Sequence, residues 1–167
     1  PVLLKTDIKI SEYIHILKFD NDSFNKWDAA QNLYLNCFLK KFNLNILIKT
    51  LRELILEKKV NYSLMALLLE LPSRTTFENL SNDVDPISIF KRKKDFMKKI
   101  ALGLQEVFEI NALKLYKSKI QDDKSFGERL LLEKILKYLI LIESSIGIQI
   151  AKKITASKNM TLSIIGL

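Results

Sequence analysis

Side chains able to do chemistry are sparse in this chain, and histidine is the scarcest: His15 is the one histidine among 167 residues. A catalytic zinc ion takes three protein ligands from His, Glu, Asp or Cys, and an HExxH motif sets two histidines one helical turn apart. One histidine cannot form that motif. His15 could serve a Ser–His–Asp or Cys–His relay only beside an activated nucleophile, and no serine stands in a GxSxG elbow or a comparable turn. Cys37 is alone, so no intrachain disulfide forms. Its neighbours in Tyr34-Leu35-Asn36-Cys37-Phe38 mark it as a small buried hydrophobe. Neither GxxxxGK[ST] nor GxGxxG occurs, so no glycine-rich turn can cradle a phosphate. The chain offers no catalytic, cofactor-binding or metal-binding residue, and by itself it is expected to be inactive.

Two kinds of charge cluster remain. The acidic pairs Asp20-Asn21-Asp22 and Asp83-Val84-Asp85 each precede a predicted helix. Capping and attraction to the positive helix end explain them, at about 0.3–1 kcal/mol each. They lack the further ligands of an EF-hand and the geometry of a glycosidase pair. The basic run Lys91-Arg92-Lys93-Lys94 continues through Lys98 and Lys99. On a helix Lys91, Lys94 and Lys98 share one face, with Phe96, Ile100 and Leu104 away from it. Such a stripe could bind nucleic acid or another polyanion. No aromatic residue is expected on the basic face to stack bases, so the solvated side of an amphipathic helix is the plainer reading.

The elements that carry these residues are helical. Leu, Ile and Lys abound while Gly and Pro number 4 and 3, which favours helices over short strands with tight turns. Val2 to Ile8 is a short β-capable run, read as the last strand of a preceding sheet. Ser11 opens a short helix carrying Tyr13, Ile14, Leu17 and Lys18. Asp22 or Ser23 caps a second, running to about Lys41 with Trp27, Ala30, Tyr34, Phe38 and Phe42 in register, and Trp27 is expected to be a core anchor. A third follows Asn43 to Asn45 with Leu47, Leu51, Leu54 and Ile55. Tyr62 to Leu71 is nearly all apolar and should be the most buried. Pro72 stops it, and Ser73 or Thr75 caps a brief helix through Leu80. After Pro86 the longest helix runs from about Ile87 to Tyr116. Beyond a polar loop at Gln121 to Ser125, one helix carries Leu131, Leu132, Ile135, Leu136, Leu139 and Ile142. Another carries Gly147, Ile148, Ile150, Ala151 and Ile154 and ends near Lys158. Asn159-Met160-Thr161 caps a further helix, cut short at Leu167. The expected fold is all-α, a superhelical array, with residues 1–10 left from a preceding β-sandwich and 11–167 forming the helical domain.

A hydrophobic content of 48% is enough for one domain with a real core. No apolar run approaches the roughly 20 residues of a membrane span, and no leader pattern opens the chain. A cytoplasmic protein without membrane partners is expected. The net charge of +8 comes from lysines spread from Lys5 to Lys158, which weakens a nucleic-acid reading. Both ends look cut from a longer polypeptide.

The segment Phe19-Asp-Asn-Asp-Ser-Phe-Asn-Lys-Trp-Asp-Ala-Ala-Gln-Asn-Leu33 resembles the stretch of bacterial aminopeptidase N enzymes that reads roughly "aHDsDpFnRWEAgQ.L", where a β-sandwich gives way to a C-terminal helical domain. Pro1-Val2-Leu3 resembles the strand before it. Ala66 to Ser73 resembles "AL.LPS", Asp83 to Pro86 resembles "..iDP", and Ala156 to Thr161 resembles "A.nMTd". Lys26 stands for the usual Arg, Asp28 for Glu, and Leu162 for Asp. The resemblance implies a parent enzyme that removes N-terminal residues from peptides with a zinc ion held by upstream motifs. It carries no site residue onto this chain. The implied partners are the upstream catalytic and β-sandwich domains and the parent's peptide substrates, and the implied role is to wall the substrate cavity. Self-association of the isolated chain is expected from uncovered helix faces. The alternative is a basic helical module binding nucleic acid or acidic proteins.

Overall fold

The computed structural model describes residues 8–57, 60–78, 85–118, 125–157 and 160–166. Within them the chain forms α1 (Ile10–Phe19), α2 (Ser23–Phe38), α3 (Leu44–Ile55), α4 (Tyr62–Leu68), α5 (Arg74–Glu78), α6 (Pro86–Lys117), α7 (Phe126–Leu141), α8 (Ser145–Thr155) and α9 (Met160–Ile165). The described residues contain no strand. The strand expected over Val2 to Ile8 lies almost wholly outside them, as do Asp83, Val84 and residues 121–124.

Starts follow the sequence closely because each is set by a side chain within a few residues. Asp22 accepts from the amides of Phe24 and Asn25, Asn43 from Asn45, Asn61 from Leu64, and Asp85 from Ile87 and Ser88 with Pro86 in the first turn. Ser73 rather than Thr75 closes the turn before α5, its hydroxyl accepting from the Thr76 amide. At α1 the expected Ser11 cap gives way to a start one residue earlier. The Glu12 carboxylate accepts from the Lys9 amide at 3.1 Å, leaving Ser11 exposed in the first turn.

Three ends differ from expectation, those of α2, α4 and α8. Helix α2 stops at Phe38, short of Lys41, because Lys40 takes a left-handed φ of 59°. Its amide then donates to the Cys37 carbonyl and that of Lys41 to the Asn36 carbonyl, a Schellman closure made without glycine. Glu143, at φ 57°, ends α7 in the same way, with the amides of Glu143 and Ser144 donating to Ile140 and Leu139. Helix α4 ends at Leu68 instead of Leu71, and its Leu67 points outward while Met65, Ala66 and Leu68 are buried. Helix α8 ends at Thr155, before Lys158.

Helix α7 is the hub, packing against α4, α6, α8 and α9, while α6 also meets α3, α5 and α8, and α2 meets α1, α3 and α4. The sequence stripes supply the contacts: Leu47, Leu51, Leu54 and Ile55 of α3, and Phe96, Ile100, Leu104, Val107, Phe108, Ala112 and Leu115 of α6, are all buried in one continuous core. Two glycines allow close approach. A Cβ on Gly103 would stand 2.7 Å from Ile48 of α3, and one on Gly147 would stand 2.5 Å from Leu139 of α7.

The connection from α4 to α5 is the most heavily anchored stretch. Pro72 has no amide hydrogen, so the Leu68 carbonyl cannot find a donor four residues on. The buried Tyr34 hydroxyl of α2 donates to it at 2.7 Å, and the buried Tyr138 hydroxyl of α7 donates to the next carbonyl, Leu69, also at 2.7 Å. Gln31 of α2 donates to the Glu70 carbonyl at 2.8 Å and Lys93 of α6 to the Pro72 carbonyl at 2.7 Å. Three helices thus fasten one short segment.

Burial holds both phenols in the protonated form, pushing their ionisation well above the usual range. Unfolded tyrosine loses its proton near pH ~10, so above that pH the unfolded chain binds fewer protons than the folded one. Stability should be insensitive to these groups below pH ~10 and fall above it by up to about 1.4 kcal/mol per pH unit for each tyrosine. Urea unfolding between pH 8 and 11 checks this: Tyr34→Phe should lessen the loss of stability above pH ~10 by up to about 1.4 kcal/mol per pH unit, and an unchanged slope there would contradict the burial argument.

Candidate functional site

The segment Phe19 to Leu33 forms the corner between α1 and α2. Asp20 and Asp22 are both engaged in making it. Asp20 accepts from the Asp22 amide at 2.7 Å and from the Asn25 side chain at 3.1 Å, while Asp22 caps α2. The Asp22 amide bond is the main cause holding the Asp20 carboxyl below its ordinary range. Lys26 reaches back to the Lys18 carbonyl at 3.4 Å. With the turn fixed, Phe19 and Phe24 are each left 67% exposed. Trp27, expected as a core anchor, is half-buried at the rim of the core, its ring 5.7 Å from that of Phe24. His15 is exposed, its ring 5.0 Å from Phe19. The corner thus presents two exposed phenylalanines, a half-buried indole and an exposed histidine side by side.

Among the described residues no three of His, Cys, Asp and Glu converge where a metal ion could sit. Cys37 is buried, which pushes its thiol up to about 12 and leaves it a poor nucleophile at neutral pH.

The basic run on α6 divides by face. Lys91, Lys94, Lys98 and Lys99 are exposed, while Phe96, Ile100 and Leu104 are buried, as the periodicity predicts. Lys93 belongs to the inner side. It bonds the Pro72 carbonyl and lies 5.4 Å from the Phe77 ring centroid, and burial lowers its pKa. Arg92 sits 4.5 Å over the ring of Phe38. The expectation that no aromatic residue borders the basic face needs correction: Phe90 is 60% exposed one turn before Lys94. Neither tethering by Lys93 nor the Arg92–Phe38 contact was visible in the sequence, since both partners lie far away along the chain.

A family model described as a domain of unknown function (DUF3458_C) with ARM repeats matches residues 10–167. The chain belongs to this family. As an ARM-repeat domain it has a solved structural relative, Legionella pneumophila aminopeptidase A, crystallised in complex with aspartic acid. The two superpose with a TM-score of 0.76 at 18% identity, over 97% of this chain and 21% of that one. The ARM-repeat domain therefore spans about a fifth of that protein's length, and at this identity the likeness is one of fold. No curated protein matches it in sequence. No helix among the described residues is long and apolar enough to cross a membrane.

Lys93 and Lys94 are neighbours with opposite roles. Lys93→Ala should cost about 1–2 kcal/mol, because it strips the Pro72 carbonyl of a charged donor, whereas Lys94→Ala should stay within about 0.5 kcal/mol of wild type. Chemical denaturation of both variants checks the assignment, and equal losses would refute it.

Proposed function

We propose that this domain is a non-catalytic helical part of a zinc-dependent aminopeptidase of the aminopeptidase N kind, walling the cavity in which peptides lose their N-terminal residues. The observation that carries this reading is the fold shared, over 97% of the chain, with one fifth of an aminopeptidase. The ordered sequence resemblance along the chain, most specific from Phe19 to Leu33, supports the same family on separate grounds. The zinc ion, its ligands and the groups that attack the peptide belong to another part of the polypeptide. The aromatic corner at Phe19, Phe24 and Trp27 is where the domain meets that part. A cytoplasmic setting belongs to the same proposal, supported by Cys37 as a single buried thiol with no disulfide partner.

The reading is tested on two proteins. The full product of the gene should release amino acids from aminoacyl-4-nitroanilides and lose that activity to a zinc chelator, with recovery on adding zinc. The 167-residue chain should show no cleavage with or without zinc, and its exposed apolar faces should make it self-associate in light scattering as concentration rises. A full-length product without zinc-dependent aminopeptidase activity, or a purified chain that cleaves the reporter, would overturn the proposal.

A further inference from the structure

Where α2 ends and α3 begins, a cavity of about 430 Å³ opens against the N-terminal half of α6. This volume falls within the range of about 300–1,000 Å³ typical of small-molecule sites. Its floor is aromatic. Phe38 and Phe96 are 7% and 8% exposed, their rings meeting edge to face at 6.0 Å, and Phe42 and Leu44 form a wall. Around this apolar floor stand Lys40, Arg92 and Lys99, three cations with one carboxylate, Asp95, among the lining residues.

One of the cations is held in place, and the backbone of a second is fixed. Arg92 lies 4.5 Å over the Phe38 ring, which fixes its guanidinium at the edge of the floor. Lys40 is the left-handed residue of the α2 closure, so its backbone position is set by the two amide bonds of that motif. None of the ion pairs among the described residues involves Lys40, Arg92, Lys99 or Asp95. The lining thus sets three cations against the single carboxylate of Asp95, an excess of positive charge. An aromatic floor beneath an excess of cations suits a ligand with a flat or branched apolar body and a single anionic head.

We infer that this cavity binds a small amphipathic anion, an aromatic or aliphatic body bearing one carboxylate or phosphate, with Arg92 and Lys99 receiving the head and Phe38 and Phe96 the body. The inference is independent of the proposed enzymatic setting. Long polyanions fit less well, because the cations ring one hollow and do not track along a groove.

Calorimetric titration of the 167-residue chain with 3-phenylpropionate and phenyl phosphate tests it. At least one of the two should bind, and the tighter names the head group. Neutral 3-phenyl-1-propanol and inorganic phosphate should each bind at least about tenfold more weakly, since each lacks one half of the recognition. Lys99→Glu, exposed and without a described ion pair, should weaken binding about tenfold or more, and Arg92→Glu should do likewise. Lys94→Glu on the same helix but outside the cavity should leave binding within about twofold. Circular dichroism confirms that each variant is folded. Binding by neither anion, equal binding of the neutral alcohol or of inorganic phosphate, or equal losses in Lys94→Glu and Lys99→Glu would overturn the inference.

Discussion

Everything in this domain is organised around the carbonyls that Pro72 and the end of α4 leave without helical donors. A proline four residues after Leu68 removes the amide that would have satisfied it, and the extended chain beyond Leu69 leaves further acceptors open. At the buried residues Leu68 and Leu69 each unsatisfied acceptor would cost about 1–3 kcal/mol. Tyr34, Tyr138, Gln31 and Lys93 supply the donors from α2, α7 and α6, and Lys134 of α7 adds an ion pair to Glu70 at 3.4 Å. The same contacts that satisfy the backbone therefore fix where three long helices lie. Helix α7, anchored through Tyr138, can then pack against α4, α6, α8 and α9.

This arrangement also explains how charge is distributed. Lys93 is drawn inward onto Pro72 and Phe77 as a structural pin, while Arg92, though exposed, lies over the ring of Phe38. Their neighbours Lys91, Lys94, Lys98 and Lys99 remain outside. A run that looks uniform in sequence is thus divided between packing and surface, and Arg92 and Lys99 stand beside an aromatic floor. Likewise the acidic pair Asp20 and Asp22 is spent on a turn and a helix cap, which leaves Phe19 and Phe24 presented at the corner.

Much of the fold was legible in the sequence because its signals are local. The caps at Asp22 and Asp85 act within three residues, and the apolar stripes of α3 and α6 repeat within each helix. What escaped is non-local or lacks a marker. The end of α2 is set by Lys40, a residue type that does not announce a left-handed turn as glycine would. The donors to Leu68, Leu69 and Pro72 come from 34, 69 and 21 residues away. The rim position of Trp27 depends on how α1 turns into α2, which the helical register alone does not set. The basic cavity was invisible for the same reason, since it joins the end of α2 to the N-terminal half of α6.

The row of carbonyls runs from Leu68 to Pro72 between α4 and α5. The most direct test of its role is the unfolding free energy at pH 7 of Tyr34→Phe, Tyr138→Phe and the double variant, each keeping the ring and removing only the hydroxyl. Each single variant should lose about 1–3 kcal/mol with helicity retained, because a buried carbonyl loses its donor. Losses below about 0.5 kcal/mol in both would show that the connection is held by packing alone, and that the two hydroxyls do not organise the domain.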